Sequence, residues 1–107
     1  MSEFSQARIE EALQHLAAEF LSRESNRLSL ITVTGIRMSS ELGHATILVS
    51  VFPEEREAEA LGFLKRQRSD FRAYIKAKTQ IRRIPEIDFD IDLGEKHRWL
   101  LENIDIT

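Results

Sequence analysis

A chain of 107 residues, 42% of them hydrophobic and 31% charged, is long enough to bury roughly 60 to 70% of its unfolded surface in one core and too short to divide into two domains. Having no cysteine, it can form neither a disulfide nor a thiolate metal site, a composition compatible with a reducing cytoplasm. Its net charge of −3, from 15 basic and 18 acidic residues, excludes a uniformly basic surface, so a polyanionic partner would have to be drawn by a local field.

The opening stretch, MSEFSQARIEEALQHL, is acidic and amphipathic and lacks the apolar run of a signal peptide or membrane span, so a soluble chain is expected. From Ser5 to Ser22, Ile9, Leu13, Leu16, Ala17, Phe20 and Leu21 recur at steps of three and four, the period of a helix buried on one side. Ser2 or Ser5 can cap it, and Glu10 and Glu11 suit the positive end of its dipole. Arg8 is a cation at the disfavoured end, which makes it a candidate contact residue. Ser22 to Arg27 is polar and aperiodic and predicts a loop.

The period then changes to two. LSLITVTGIR, Leu28 to Arg37, sets Leu28, Leu30, Thr32, Thr34 and Ile36 on one face and Ser29, Ile31, Val33, Gly35 and Arg37 on the other, a strand rich in β-branched residues. Ser39 to Gly43 reads as a turn, and ATILVSVF, Ala45 to Phe52, as a second strand paired antiparallel to the first. Pro53, followed by Glu54, Glu55 and Glu57, suits the first position of a long helix. Its expected buried stripe is Ala58, Leu61, Leu64, Phe71 and Ile75, but polar Gln67 and Arg68 interrupt it. Either the helix breaks between Gln67 and Asp70, or Arg68 lays its stem across the core edge. Ser69 and Asp70 are natural caps for a restarted helix, which favours a break, with the second half running to about Ile81.

Pro85 ends helical structure before it. Glu86 to Asp92 alternates Ile87, Phe89 and Ile91 with Asp88, Asp90 and Asp92, a half-buried third strand expected to lie parallel to the second. After Gly94, the residues Trp99, Leu100, Leu101 and Ile104 are spaced for a short terminal helix. The expected architecture is a single α+β domain spanning 1–107, α-β-β-α-kink-α-β, with helices on one face of a three-stranded sheet.

Charge is unevenly distributed along this order. From Arg56 to Arg83 there are nine Lys or Arg against three Asp or Glu, a balance of +6 that leaves −9 for the remainder. The candidate polyanion-binding residues are therefore Lys65, Arg66, Arg68, Arg72, Lys76, Lys78, Arg82 and Arg83, with Arg8 beside them. Residues 65, 68, 72, 76 and 83 approximate one helical face, with Arg66 and Lys78 round the side. Arg72, Lys76 and Arg82 lead the list. Tyr74 falls beside Phe71 and Ile75 and reads as core rather than as a base-stacking ring. Asp88, Asp90 and Asp92 point the same way on a strand, onto a solvated face that discourages edge pairing. His15, His44 and His97 lack ligand spacing, and Gly35, Gly43, Gly62 and Gly94 form no phosphate loop. Neither metal, cofactor nor catalysis is expected.

The residues resemble the ribosome-binding factor A family, small bacterial proteins of the KH-like class. ARIEEAL resembles the family's first helix, ITVTGIRMSSELGHATILVSVF its hairpin, and IRRIPEIDFDID its final strand, with Arg82, Pro85, Glu86 and Phe89 at recurring positions. The family's Ala-x-Gly bend falls on Gln67 and Ser69 here, and both the Gly-x-x-Gly loop of nucleic-acid-binding KH domains and a basic tail are missing. The resemblance implies a type II KH-like fold and a cytoplasmic, non-enzymatic factor for late maturation of the small (30S) ribosomal subunit, binding 16S ribosomal RNA near the decoding-region helices in free 30S particles. It is expected to act as a monomer, with no membrane and no small-molecule substrate. The alternative is a protein adaptor of the same fold, whose basic helix meets an acidic protein and whose strand edge accepts a partner strand.

Overall fold

The computed structural model describes residues 5–24 and 30–103. Four helices and three strands follow in the order α1 (Gln6–Glu24), β1 (Leu30–Met38), β2 (His44–Phe52), a 3₁₀ turn (Glu54–Arg56), α2 (Glu57–Arg66), α3 (Arg68–Lys78), β3 (Glu86–Ile91) and α4 (Leu93–Asn103). The sheet order is β1-β2-β3. β2 pairs antiparallel with β1 and parallel with β3, so the α+β expectation and the parallel third strand both hold.

One face of this sheet supplies the core. Ala45, Ile47, Val49 and Val51 of β2 and Ile87 and Phe89 of β3 are buried with Leu13, Ala17 and Phe20 of α1 and Leu64, Phe71 and Ile75 of α2 and α3. Alternation in the strands and three-to-four spacing in the helices thus meet on one surface. Phe71 lies between Phe20 and Phe89, with ring centroids 5.2 and 5.8 Å away. Truncating so enclosed a ring costs about 3–5 kcal/mol.

Two expected faces are corrected. β1 carries a bulge between Val33 and Gly35, so Ile31 and Val33 before it and Ile36 and Met38 after it all pack toward the core. The extra residue, Thr34, reverses the parity, and Leu30 is left 66% exposed. On α2 the buried alanine is Ala60 and Ala58 is exposed. Pro53 caps a 3₁₀ turn rather than opening the α-helix, and that turn's tighter winding rotates the stripe relative to a single continuous helix.

The long helix breaks at Gln67, whose φ of −92° and ψ of 2° separate α2 from α3. Gln67 N–H donates to the Leu64 carbonyl at 2.9 Å, and Phe71 N–H restarts the ladder on Gln67 O at 2.9 Å. This bridge-region conformation needs no glycine, which is why the bend survives without Ala-x-Gly. Ser69 and Asp70 are not the caps: Gln67 is, without a side-chain capping bond. α3 ends at Lys78, where Thr79 turns extended, so Arg82 and Arg83 lie in a non-helical connector.

At the far end of the sheet, Thr34 Oγ1 donates to Asp92 Oδ2 at 2.5 Å, and Asp92 Oδ1 accepts the Glu95 amide at 2.9 Å. Asp92 thereby ties the β1 bulge to the start of α4. Leu100 and Leu101 of α4 are exposed, while Ile104 lies outside the described residues. No described helix is long and apolar enough to cross a membrane.

Candidate nucleic-acid interface

The break at Gln67 and the return through Pro85 set Lys65, Arg68 and Arg72 against β3 and the connector, whereas Lys78 lies on the α1 side of α3, over Tyr74. The first three are held by the protein itself. Lys65 Nζ lies 2.8 Å and Arg68 Nη1 3.4 Å from the same atom, Asp88 Oδ1. Arg68 Nε also donates to Lys65 O at 3.0 Å, so its stem does not cross the core. Arg72 Nη1 donates to the carbonyls of Ile84 at 3.2 Å and Pro85 at 3.0 Å, stapling the connector to α3. Burial alone would raise the Asp88 carboxyl. The Lys65 hydrogen bond, the Phe89 amide and the charges of Lys65 and Arg68 outweigh it and hold the group below the ordinary aspartate range.

The others face solvent. Arg66, Lys76, Lys78, Arg82 and Arg83 are exposed, and among the described residues none has a carboxylate within ion-pair distance. Lys78 Nζ and the Arg23 guanidinium sit 5.4 and 5.5 Å from the centre of the Tyr74 ring. Tyr74 packs on Phe20 at 5.4 Å and donates its hydroxyl to Glu19, so it belongs to the fold, as its spacing suggests. Arg8 stands apart. It lies twelve residues before Phe20 on α1, about 18 Å along the helix from the contact with α3.

Between α3 and the start of β3 runs an open cleft of about 510 Å³, lined by Arg68, Ser69, Arg72, Ile84, Glu86 and Ile87. Arg68 and Arg72 form its cationic wall, and Glu86 is the carboxylate on the opposite rim. Planar guanidiniums with unused N–H groups suit phosphate oxygens better than a neutral ligand. Periodicity could not reveal this cleft, since its far wall is built by Ile84, Glu86 and Ile87 on either side of Pro85.

β3 is an edge strand whose solvated face carries the aspartates. Glu86 N–H donates to Gly43 O and Asp92 N–H to Val49 O on the β2 side, so the odd-numbered amides point outward. Phe89 and Ile91 donate those amides to Asp88 Oδ1 and Asp90 Oδ1, each at 2.8 Å. The aspartates therefore occupy donors that an added strand would need. No cluster of three or more His, Asp or Glu among the described residues is placed to hold a metal ion.

The sequence pattern of the family described as Ribosome-binding factor A matches residues 5–103. The chain belongs to that family. A Ribosome-binding factor A from Thermomicrobium roseum is 34% identical over 100 residues, covering 91% of this chain and 78% of the relative. The crystal structure of ribosome-binding factor A from Thermus thermophilus superposes with a TM-score of 0.72 at 26% identity, covering 82% of this chain and 97% of that one. A homology model of the Thermus thermophilus protein, fitted into a cryo-EM map of a 30S–RbfA complex, superposes with a TM-score of 0.71 at 26% identity over 82% and 96% of the two chains. Membership in the ribosome-binding factor A family agrees with the fold.

Proposed function

We propose that this chain binds the small ribosomal subunit during late maturation in the cytoplasm, without catalysing a reaction, by laying the α3–connector surface on the phosphates of 16S ribosomal RNA. The observation that carries the reading is the group of exposed cations on α3 and the connector that, among the described residues, have no carboxylate within ion-pair distance. The fitted 30S complex of the Thermus relative supports it. Lys76, Lys78, Arg82 and Arg83, with Arg66 at the break, meet phosphates directly. Lys65, Arg68 and Arg72 give the surface its shape and add field. Phosphate contacts carry little sequence information, so selectivity rests on RNA shape and on repulsion of RNA from the acidic remainder.

Co-sedimentation of the purified protein with small subunits at rising salt tests the proposal. Binding that weakens steeply with salt and disappears when nuclease removes the RNA is expected. Association that survives nuclease would favour the protein-adaptor alternative. That alternative is already disfavoured at β3, where Asp88 and Asp90 occupy outward amides.

A further inference from the structure

At the opposite end of the sheet from the cations lies a groove of about 530 Å³ between β1, β2 and α4. The registers Leu30↔Phe52 and His44↔Glu86 fix this polarity: Leu30 and Phe52 sit at one end, and the connector enters at the other. Along β2 the two ends are about 27 Å apart. The groove's apolar surface comes from Leu30, 66% exposed, Phe52, 73% exposed, and Leu100, 45% exposed, with Pro53 at its edge. Large apolar side chains left this open in one place mark an interaction surface.

The rim determines the partner's chemistry. Among the described residues, Glu54, Glu55, Glu57, Asp92 and Glu95 line the groove against a single cation, Lys96. Lys96 Nζ is already held by Glu54 at 3.2 Å and Glu57 at 3.1 Å. Five carboxylates and one ammonium give the described lining a formal charge of −4, which repels RNA and attracts cations. We infer that this groove docks a cationic protein segment that inserts an aliphatic or aromatic anchor between Phe52 and Leu100. The inference goes beyond the RNA reading: one end of the molecule takes the polyanion and the other takes a basic polypeptide.

The test uses the full chain and a short synthetic peptide alternating lysine and leucine, with a lysine–serine peptide as the charge-only control. The lysine–leucine peptide is expected to bind and to shift the backbone NMR signals of Leu30, Thr32 and Phe52. Phe52→Ser, a change at an exposed position, is expected to weaken binding about tenfold. Glu55→Lys is expected to weaken it and flatten its salt dependence. Lys76→Glu is expected to alter it by less than about twofold, since the separation exceeds the Debye length. Equal binding of the lysine–serine peptide, signal shifts confined to α3, or a self-association that Phe52→Ser abolishes would each overturn the inference. A loss of RNA binding in the α3 variants with peptide binding intact would leave this end of the molecule unaffected.

Discussion

Lys65 and Asp88, twenty-three residues apart, meet through Nζ and Oδ1 at 2.8 Å and join the end of α2 to the middle of β3. Both side chains are more than a third exposed, so the pair adds only about 0–1 kcal/mol to stability. Its larger effect is on charge, because it removes Lys65 and weakens Arg68 as free cations. Asp88→Asn is therefore expected to lower stability by no more than about 1 kcal/mol while strengthening RNA binding. Urea denaturation and salt-dependent RNA titration of the same variant check both halves.

Acid sensitivity follows from Asp88 and Asp92. The Asp92 carboxyl is held down by the Thr34 hydroxyl first and then by the Glu95 amide, and Asp88 by Lys65 and its neighbours against the effect of burial. Both folded-state values lie below the unfolded one, so the unfolded chain binds more protons in this range. Stability is then fully present above the ordinary aspartate value and falls as pH drops through the folded values. Thermal melts between neutral pH and about pH 3 should show this loss, and Asp88→Asn with Asp92→Asn should flatten it.

Breaking the tie between the β1 bulge and α4 should loosen α4 first. Asp92→Ala removes the side-chain acceptor of the Glu95 amide and is expected to cost about 1 kcal/mol. Amide exchange should rise across α4 while the β2 and β3 amides stay protected. Thr34→Val, which removes the donor to Asp92, should give a smaller change in the same direction.

The helix break supplies a prediction of opposite sign. Gln67 Oε1 is buried without a hydrogen-bond partner, which costs free energy that a smaller apolar side chain would not incur. Gln67→Ala is expected to raise stability by up to about 1 kcal/mol without straightening the helix. Chemical denaturation measures the first point, and an unchanged Phe71 environment by NMR the second.

What could be read from the residues was whatever local pattern dictates. The alternation from Glu86 to Asp92, the period of α1 and the polar interruption at Gln67 each express one element's contact with the core. Thr34 shows the limit: Gly35 inside LITVTGIRM hints at a bulge, but local pattern does not say where the register shifts or that the facing of β1 reverses there. Ala58 was expected inside because the 3₁₀ turn at Glu54–Arg56 has the same composition as an α-helical first turn. The pairing of Lys65 and Arg68 with Asp88 depends on how the crossover packs against β3, so charge counting placed these cations on the surface without showing that they were partly neutralised. Arg72 is another case: its spacing marks it as a surface cation, and its bonds to Ile84 and Pro85 across the connector give it a structural task.

In the proposed function, the exposed cations of α3 and the connector, Lys76 and Arg82 foremost, grip ribosomal RNA. The most direct measurement of this is the affinity of the Lys76→Glu, Arg82→Glu double variant for purified small subunits, beside wild type, with its thermal melt recorded. Both sites are exposed, so the melt should be unchanged, affinity should fall at least about tenfold, and the slope of log affinity against log salt should shrink by about 1.4 to 1.8 for the two lost contacts. A folded double variant that binds as tightly as wild type, with the same salt slope, would contradict the account.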